Sequence, residues 1–522
     1  MDCSAVYADL SILFVVEHVV LDVIHSFQVF YEWRLGKSVR DLKLSPKPNS
    51  YILALKINPI TRWIYGSAGV SYGVVDNAHY FTLLYYSQVL GLDARLAGLA
   101  LSIGLVFDAI TDPLVGYLSD NITSRWGRRH PFLYASVLPL ALSYFLLWHP
   151  PPFVQDDTSM FIHLMLCLLA LRGSLTLFQV PAYAMCAEIT NDYDERTRLF
   201  ARYSTVQSIV GNGMSVLMYA LWLVPTTEYS DGIMNVKGYK VAGLVGTLAI
   251  AASVLLFTIG LHRFIPRFSR FHPSDALGPR QFFRQLADVF RYPSMRVVVV
   301  SWMLYYAGSG IYAMLWVYIY SYFWEFTSQQ ISLIVIPMAL AGLLIPPLLS
   351  GLASGREKKR VAVLGMSAAI LVNVFPIAMR LLGIFPANGT ALLFWILLVL
   401  GVFETVFFLV FDVASSSMMV DITEQAELDT GRRSEGVITS TVTFAAKCSY
   451  ALGTFLGGVT LSLVEFPTET AVGDVAPDII FDLGLVYGPL ILVIFLGSVY
   501  AISRYRISRV QHEETIARLE GR

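Results

Sequence analysis

The feature that most constrains this chain is a succession of apolar runs, each about as long as a lipid bilayer is thick. Pro131 to Trp148, Met160 to Gln179 and Val241 to Leu261 are the plainest, and each approaches the roughly 20 residues a helix needs to cross about 30 Å of hydrocarbon. With no water there to satisfy backbone N–H and C=O groups, such runs close their hydrogen bonds internally, as helices. Of the 522 residues 56% are hydrophobic and only 14% charged, where a soluble chain carries about a quarter charged. An all-α, multi-pass membrane protein follows.

Short polar or Pro-containing turns divide the apolar sequence into twelve spans. The first six run roughly 62–90, 95–120, 131–149, 159–188, 200–224 and 241–262, and the second six roughly 296–323, 329–352, 361–381, 391–420, 436–464 and 479–503. The expected organisation is an N-terminal extension at 1–60, a six-helix bundle at 61–265, a linker at 266–295, a second six-helix bundle at 296–505 and a tail at 506–522. Residues 11–33 of the extension are apolar but broken by Glu17, His18, Asp22 and His25. They fit a peripheral interfacial helix, a thirteenth span or a non-native extension, and carry no functional assignment. Loops after even-numbered spans, with the linker and tail, hold 24 Lys and Arg residues against 4 on the other side. This asymmetry places them in the cytoplasm, with the chain in the plasma (inner) membrane.

Several function classes fall away. A net charge of -1 with no separate basic domain argues against nucleic-acid binding. Cys167, Cys186 and Cys448 lie in or beside apolar segments and form neither a disulfide framework nor a zinc spacing. No phosphate-binding glycine loop of the P-loop type marks an ATP-driven pump. No nucleophile and base stand in a recognisable arrangement, so neither an enzyme nor an organic cofactor is expected.

The chain carries an internal repeat. "AEITNDYDERTRL" from Ala187 and "VDITEQAELDTGRR" from Val420 close spans four and ten alike, and aligning Glu188 with Asp421 gives an offset of 233 residues. Parallel six-helix repeats are a transporter signature, with the substrate bound at midplane between the halves. The same offset sets Gln179 opposite Asp412, and both are expected to face one cavity.

Charge inside a span costs at least about 2.5–3.5 kcal/mol at the helix centre unless paired or hydrated, so each instance is a functional candidate. Asp76 and His79 lie in span one, Asp108 and Asp112 in span two, Arg172 in span four, Glu404 and Asp412 in span ten and Lys447 in span eleven. Five acids face two fixed bases, an excess that invites a mobile cation. Asp108 and Asp112, one turn apart, offer hard oxygens to Na⁺ or a site for a shared proton; the competing reading is a structural pair with Arg172 or Lys447. At the cytoplasmic edge, Asp120, Arg125, Arg128, Arg129, Glu188, Arg196, Asp421 and Arg432 are expected to form gating or helix-end ion pairs. Trp302, Tyr305, Tyr306 and Trp316 in span seven offer faces on which a sugar ring can stack.

"DAITDPLVGYLSDNITSRWGRRHPF" from Asp108 resembles the glycoside-pentoside-hexuronide:cation symporters, the melibiose-permease branch of the major facilitator superfamily. The resemblance continues in "VPAYAMCAEITNDYDERTRL", "DGIMNVKGYKVAGLVG" and "SMMVDITEQAELDTGRRSEGVITSTVTFAAKCSYALG", and covers 62–505. It implies the major facilitator fold with alternating access, a coupling cation at span two and a sugar-like small molecule at midplane. Asp108 and Asp112 match the family's paired cation-site aspartates, Thr176 its span-four threonine and Lys447 its span-eleven lysine; Thr111 takes the place of an asparagine. On the sugar side Gln179 replaces an aspartate, Tyr183 a tryptophan, the Tyr-Arg pair of span five is reversed as Arg202-Tyr203, and Asp76 is displaced by about a turn from the sugar-site aspartate.

The expected protein is a monomeric secondary transporter coupling Na⁺ or H⁺ to a sugar, glycoside, hexuronide or related polar solute. Cation contacts fall on Asp108, Thr111, Asp112 and Thr176, and substrate contacts on Asp76, Arg172, Gln179, Tyr183, Asp412 and Lys447. A lysophospholipid cargo on the same fold is the alternative, and a non-transporting sensor a remote one.

Overall fold

The computed structural model describes residues 57–122, 124–190, 192–265, 293–353, 357–430 and 435–520. Most of the expected extension and linker, and Arg432, lie outside the described residues. After a short helix, Pro59–Gly66, the helices are α1 (Ala68–Leu84), α2 (Ala94–Asn121), α3 (His130–Trp148), α4 (Asp157–Ile189), α5 (Tyr193–Leu217) and α6 (Val236–Gly260). The second set comprises α7 (Pro293–Tyr318), α8 (Ser328–Ala353), α9 (Lys358–Leu381), α10 (Ala391–Thr430), α11 (Glu435–Leu463) and α12 (Pro477–Ser503), followed by a terminal α13 (Arg509–Glu520). No strand occurs among the described residues.

Nine of these helices are long and apolar enough to cross a membrane. The three spans that fall short, α1, α5 and α11, carry polar residues such as Asp76, Asn77, Gln207, Asn212 and Lys447, which lower their apolarity where the two halves meet. Large apolar side chains including Leu138, Leu248, Leu364 and Val493 are exposed, as on a bundle that faces lipid.

Within the first half α1 packs on α5 and α6, α2 on α4, and α3 on α4 and α6; within the second α7 packs on α11 and α12, and α9 on α10 and α12. The halves meet where α2 runs along α11 and where α5 meets α8. Glycine sets the closeness of the first crossing. A Cβ on Gly98 of α2 would lie 3.2 Å from the Cα of Gly458 on α11, so only small residues let these backbones approach.

The repeat is visible in the backbone. Five-residue π-helical turns, Tyr85–Val89 and Ile319–Phe323, end α1 and α7. Leu90 N–H donates to Tyr85 C=O and Leu92 N–H to Tyr86 C=O at 3.0 and 2.9 Å; Trp324 and Phe326 repeat this onto Ile319 and Tyr320 at 3.0 and 3.1 Å. Equivalent positions in the two halves therefore share a local fold as well as a sequence offset.

These turns also close one end of the molecule. Gln88 Nε2 donates to Pro467 C=O at 2.9 Å, Tyr322 hydroxyl to Thr470 C=O at 3.0 Å, and Val472 N–H to the Asp231 carboxylate at 2.8 Å. The Gln88 and Asp231 bonds join the first half to the second at the end opposite the arginine-rich loops.

Candidate functional site: a carboxylate pair and a central cavity

Span two delivers Asp108 and Asp112 to the α2–α11 seam one helical turn apart, and Pro113 follows at once. A proline inside a helix withdraws an N–H from the backbone ladder, so the helix is locally weakened beside the acid pair. Lys447 on α11 reaches across the seam. Its Nζ donates to Asp108 Oδ2 at 2.7 Å and to Asp112 Oδ2 at 2.5 Å.

From α4, Thr176 Oγ1 lies 2.9 Å from Asp108 Oδ1 and 3.1 Å from Asp112 Oδ1, and Thr111 Oγ1 is 3.4 Å from Thr176 Oγ1. A hydroxyl has one proton to donate. Thr176 therefore serves one carboxylate as a donor, and its oxygen is free to accept from the other when that acid is protonated. Two carboxylates against one ammonium leave a surplus negative charge, the charge of one monovalent cation. The side chain of Asp108 is 8% exposed, whereas those of Asp112 and Lys447 are 28% and 26% exposed, so the pair is wetter on the side nearer the arginine-rich end.

At that end Glu188 accepts from Arg128 Nη2 at 2.6 Å and Arg129 Nε at 3.1 Å, while Arg129 also pairs with Asp120 and donates to Ser119 Oγ at 2.5 Å. Arg196 donates to the backbone carbonyls of Thr190 and Ala187, covering the end of α4. In the second half Asp421 accepts from Lys358 Nζ at 2.6 Å. The offset that aligned Glu188 with Asp421 thus pairs each with bases from the junction of the second and third helices of its own half. Outside the spans, hydrogen bonds from Arg62 to Glu195, at 2.7 and 3.1 Å, hold that carboxyl below its ordinary value.

A cavity of about 320 Å³ lies between α1, α5, α7, α8 and α10. Its lining is mixed, polar at Asp76, Gln207, Asn212 and Thr405 and apolar or aromatic at Phe81, Trp316, Val335 and Met338. Asn77 Nδ2 donates to Ser215 Oγ at 2.6 Å, tying α1 to α5. Trp316 stacks on Tyr320 at 4.3 Å, and its buried indole N–H has no hydrogen-bond partner among the described residues.

Residues 64–509 match the family model described as MFS/sugar transport protein. The chain belongs to this family. It is 25% identical to the putative glycoside/cation symporter YagG of Escherichia coli (strain K12), over 86% of this chain and 92% of the relative. It is also 25% identical to sodium-dependent lysophosphatidylcholine symporter 1 of Gallus gallus, over 60% of this chain and 63% of the relative. The solved structure of the nucleoside transporter NupG matches with a TM-score of 0.59 and 15% identity, over 85% of this chain and 99% of that one, a likeness of fold. This MFS/sugar transport family member is therefore an integral, multi-pass, cation-coupled symporter with the major facilitator fold.

In this symporter the structure brings together all four residues expected around the cation, Asp108, Thr111, Asp112 and Thr176. It adds Lys447, expected at the substrate, to the same cluster. Of the other expected substrate residues, Asp76 lines the cavity. Arg172 passes α2 at Gly104, one turn from Asp108, within electrostatic reach of Asp76 and His79. Gln179 Nε2 is 3.4 Å from the Tyr183 hydroxyl, and the Tyr183 ring lies 4.9 Å from that of Tyr203. Asp412 lies within electrostatic reach of Tyr305 and Tyr306. Neither Gln179 nor Asp412 lines the cavity that both were expected to face: α4 is not among its walls, and α10 meets it at Thr405, about two turns from Asp412.

Sequence reasoning missed Gln207, Ser208, Asn212 and Ser215. Their signal is spacing: 207, 211 and 215, with 208 and 212, form a polar and glycine stripe on one face of α5.

Proposed function

We propose that the symporter binds its coupling cation at Asp108 and Asp112 with Thr176, and a polar, sugar-like solute in the central cavity. The observation that carries this reading is the surplus negative charge of the Asp108–Lys447–Asp112 cluster. Lys447 acts as a tethered cation on the oxygens that the mobile ion needs, and yields them when the ion enters. Binding of ion and solute then favour one another to the same degree, as linkage requires. Na⁺ and H⁺ both suit the donor set: Na⁺ by its preference for oxygen ligands, H⁺ through the acceptor oxygen of Thr176.

The joined ends of α1 and α7 close the outer side, so the described conformation faces the cytoplasm, with the C-terminus on that side and the protein in the plasma membrane as a monomer. The basic-end cluster of Asp120, Arg125, Arg128, Arg129, Glu188 and Arg196, with Asp421 in the other half, serves as the inner set of gating contacts. In the cavity Gln207, Asn212 and Asp76 supply hydrogen bonds for hydroxyls and Trp316 a stacking face. A volume of about 320 Å³ sits at the small end of the roughly 300–1,000 Å³ of ligand pockets, which suits a compact solute.

A second reading, a lysophospholipid cargo, draws on the cavity's mixed lining. Polar groups such as Asp76 and apolar ones such as Val335 and Met338 are what a headgroup and tail require. A thermal-shift screen of the purified protein separates the readings, using glycosides, pentoses, uronic acids and lysolipids with and without Na⁺ at two pH values, since a ligand that binds the native state stabilises it. A sugar response that grows with Na⁺ or at lower pH supports the first reading. A response to lysolipid alone overturns it.

A further inference from the structure

Glu404 on α10 is buried in the second half, away from the Asp108–Asp112 cluster, and is 4% exposed. Asn373 of α9 donates to its Oε1 at 2.7 Å, and Asn373 Oδ1 in turn lies 3.4 Å from the Tyr487 hydroxyl of α12. The carboxyl borders a cavity of about 30 Å³, whose wall includes Tyr312, Trp316 and Tyr320 of α7. That is room for a water molecule or two.

The titratable groups facing Glu404 from the packed helices are the tyrosines 312 and 320 on α7 and 487 on α12; α9 contributes the neutral Asn373. Among the described residues no ammonium or guanidinium pairs with it. A buried carboxylate without a counter-charge costs several kcal/mol, and accepting a proton is the cheaper state. Tyr312 and Trp316 belong to the walls of both cavities, and Thr405, the next residue along the chain, lines the larger one. A change of charge at Glu404 is therefore felt one side chain away from the solute.

We propose that Glu404 is a proton-binding site of the transport cycle, separate from the carboxylate pair on α2 and coupled to the solute cavity through Tyr312 and Trp316. The proton reaches it by way of the small water-sized cavity. In this scheme solute binding depends on pH through Glu404 even when Na⁺ saturates the other site. The link to solute rests on the transport reading above, whereas protonation of Glu404 does not.

The test is infrared spectroscopy of the full chain in liposomes, titrated with pH and read at the C=O stretch of protonated carboxyls. A protonated band is expected at neutral pH in the parent, retained in Asp108→Asn/Asp112→Asn and lost in Glu404→Gln. In Asn373→Ala, which removes a donor to the ionised form, the band should persist to higher pH. The absence of a protonated band in the parent, or a band untouched by Glu404→Gln, overturns the assignment. Solute uptake at saturating Na⁺ tests the coupling: Glu404→Gln should flatten its pH profile, and a profile that coincides with the parent's reduces the proton to a structural one and overturns the role in the cycle.

Discussion

Gln88 and Tyr322 occupy the same place in the two halves, each the fourth residue of a π-helical turn, and their side chains meet, with the Tyr322 hydroxyl 3.4 Å from Gln88 Oε1. Whatever separates the halves at this end must part this pair, together with the Gln88–Pro467 bond.

Tyr322→Phe removes one of these contacts and Gln88→Leu removes both, each worth about 0.5–1.5 kcal/mol net. The outward-open population should rise by about two- to tenfold in Tyr322→Phe and by more in Gln88→Leu. With Cys3, Cys167, Cys186 and Cys448 replaced, labelling of Asn212→Cys by an impermeant maleimide added outside should quicken by that factor. Unchanged labelling would show that these bonds do not hold the outer side shut.

Asp108 and Asp112 differ in exposure although they share a partner. Asp108→Asn takes from Lys447 its more buried acid and leaves it the more exposed Asp112, so the loss should stay below the roughly 3–5 kcal/mol of a buried charge left without a partner. Asp112→Asn, closer to water, should cost less. Gradient-driven uptake should be lost in both, and in the double variant. Uptake that survives the double substitution would falsify the cation assignment.

Lys447→Gln removes the ion's competitor and leaves two acids facing each other. Unit charges about 4 Å apart interact by about 4 kcal/mol at an effective dielectric of 20, well above the 1.4 kcal/mol of a tenfold change. The cation concentration giving half the maximal thermal shift should therefore fall by about tenfold or more, while turnover slows because nothing displaces the ion. If that concentration is unchanged, Lys447 does not hold the oxygens the cation uses.

How far the sequence foretold the molecule depends on what makes a residue conspicuous. Asp108, Asp112 and Lys447 are charges in apolar helices, a costly arrangement that stands out in any reading of the chain, and the structure brings all three together. Glu188 and Asp421 were legible because their surroundings repeat. Gln207, Asn212 and Ser215 were not, since uncharged polar residues are common in helices and only their spacing marks a cavity face. The paired turns of α1 and α7 share just Tyr-Ser in sequence, Tyr86-Ser87 and Tyr320-Ser321, too little to notice before the backbone bonds reveal them. Gln179 and Asp412 aligned by offset, yet an offset says nothing of which helices part to make the cavity.

The repeat also predicts an inequality. Glu188 and Asp421 are equivalent by position and nearly alike in burial, their side chains 3% and 5% exposed, but their partners differ. Arg129 and Arg128 are themselves 5% and 14% exposed, whereas Lys358 is 33% exposed. Glu188→Gln removes the carboxylate that two hardly exposed guanidinium groups share, with Asp120 left to Arg129, and should cost up to about 3 kcal/mol. Asp421→Asn frees a lysine that can turn to water, and should cost about 1 kcal/mol. Thermal denaturation of the two variants in the same detergent checks this, with the larger fall in Tm expected for Glu188→Gln. Equal falls would mean that exposure of the base does not set the strength of these pairs, and that each half is held at this end by something other than its own ion pair.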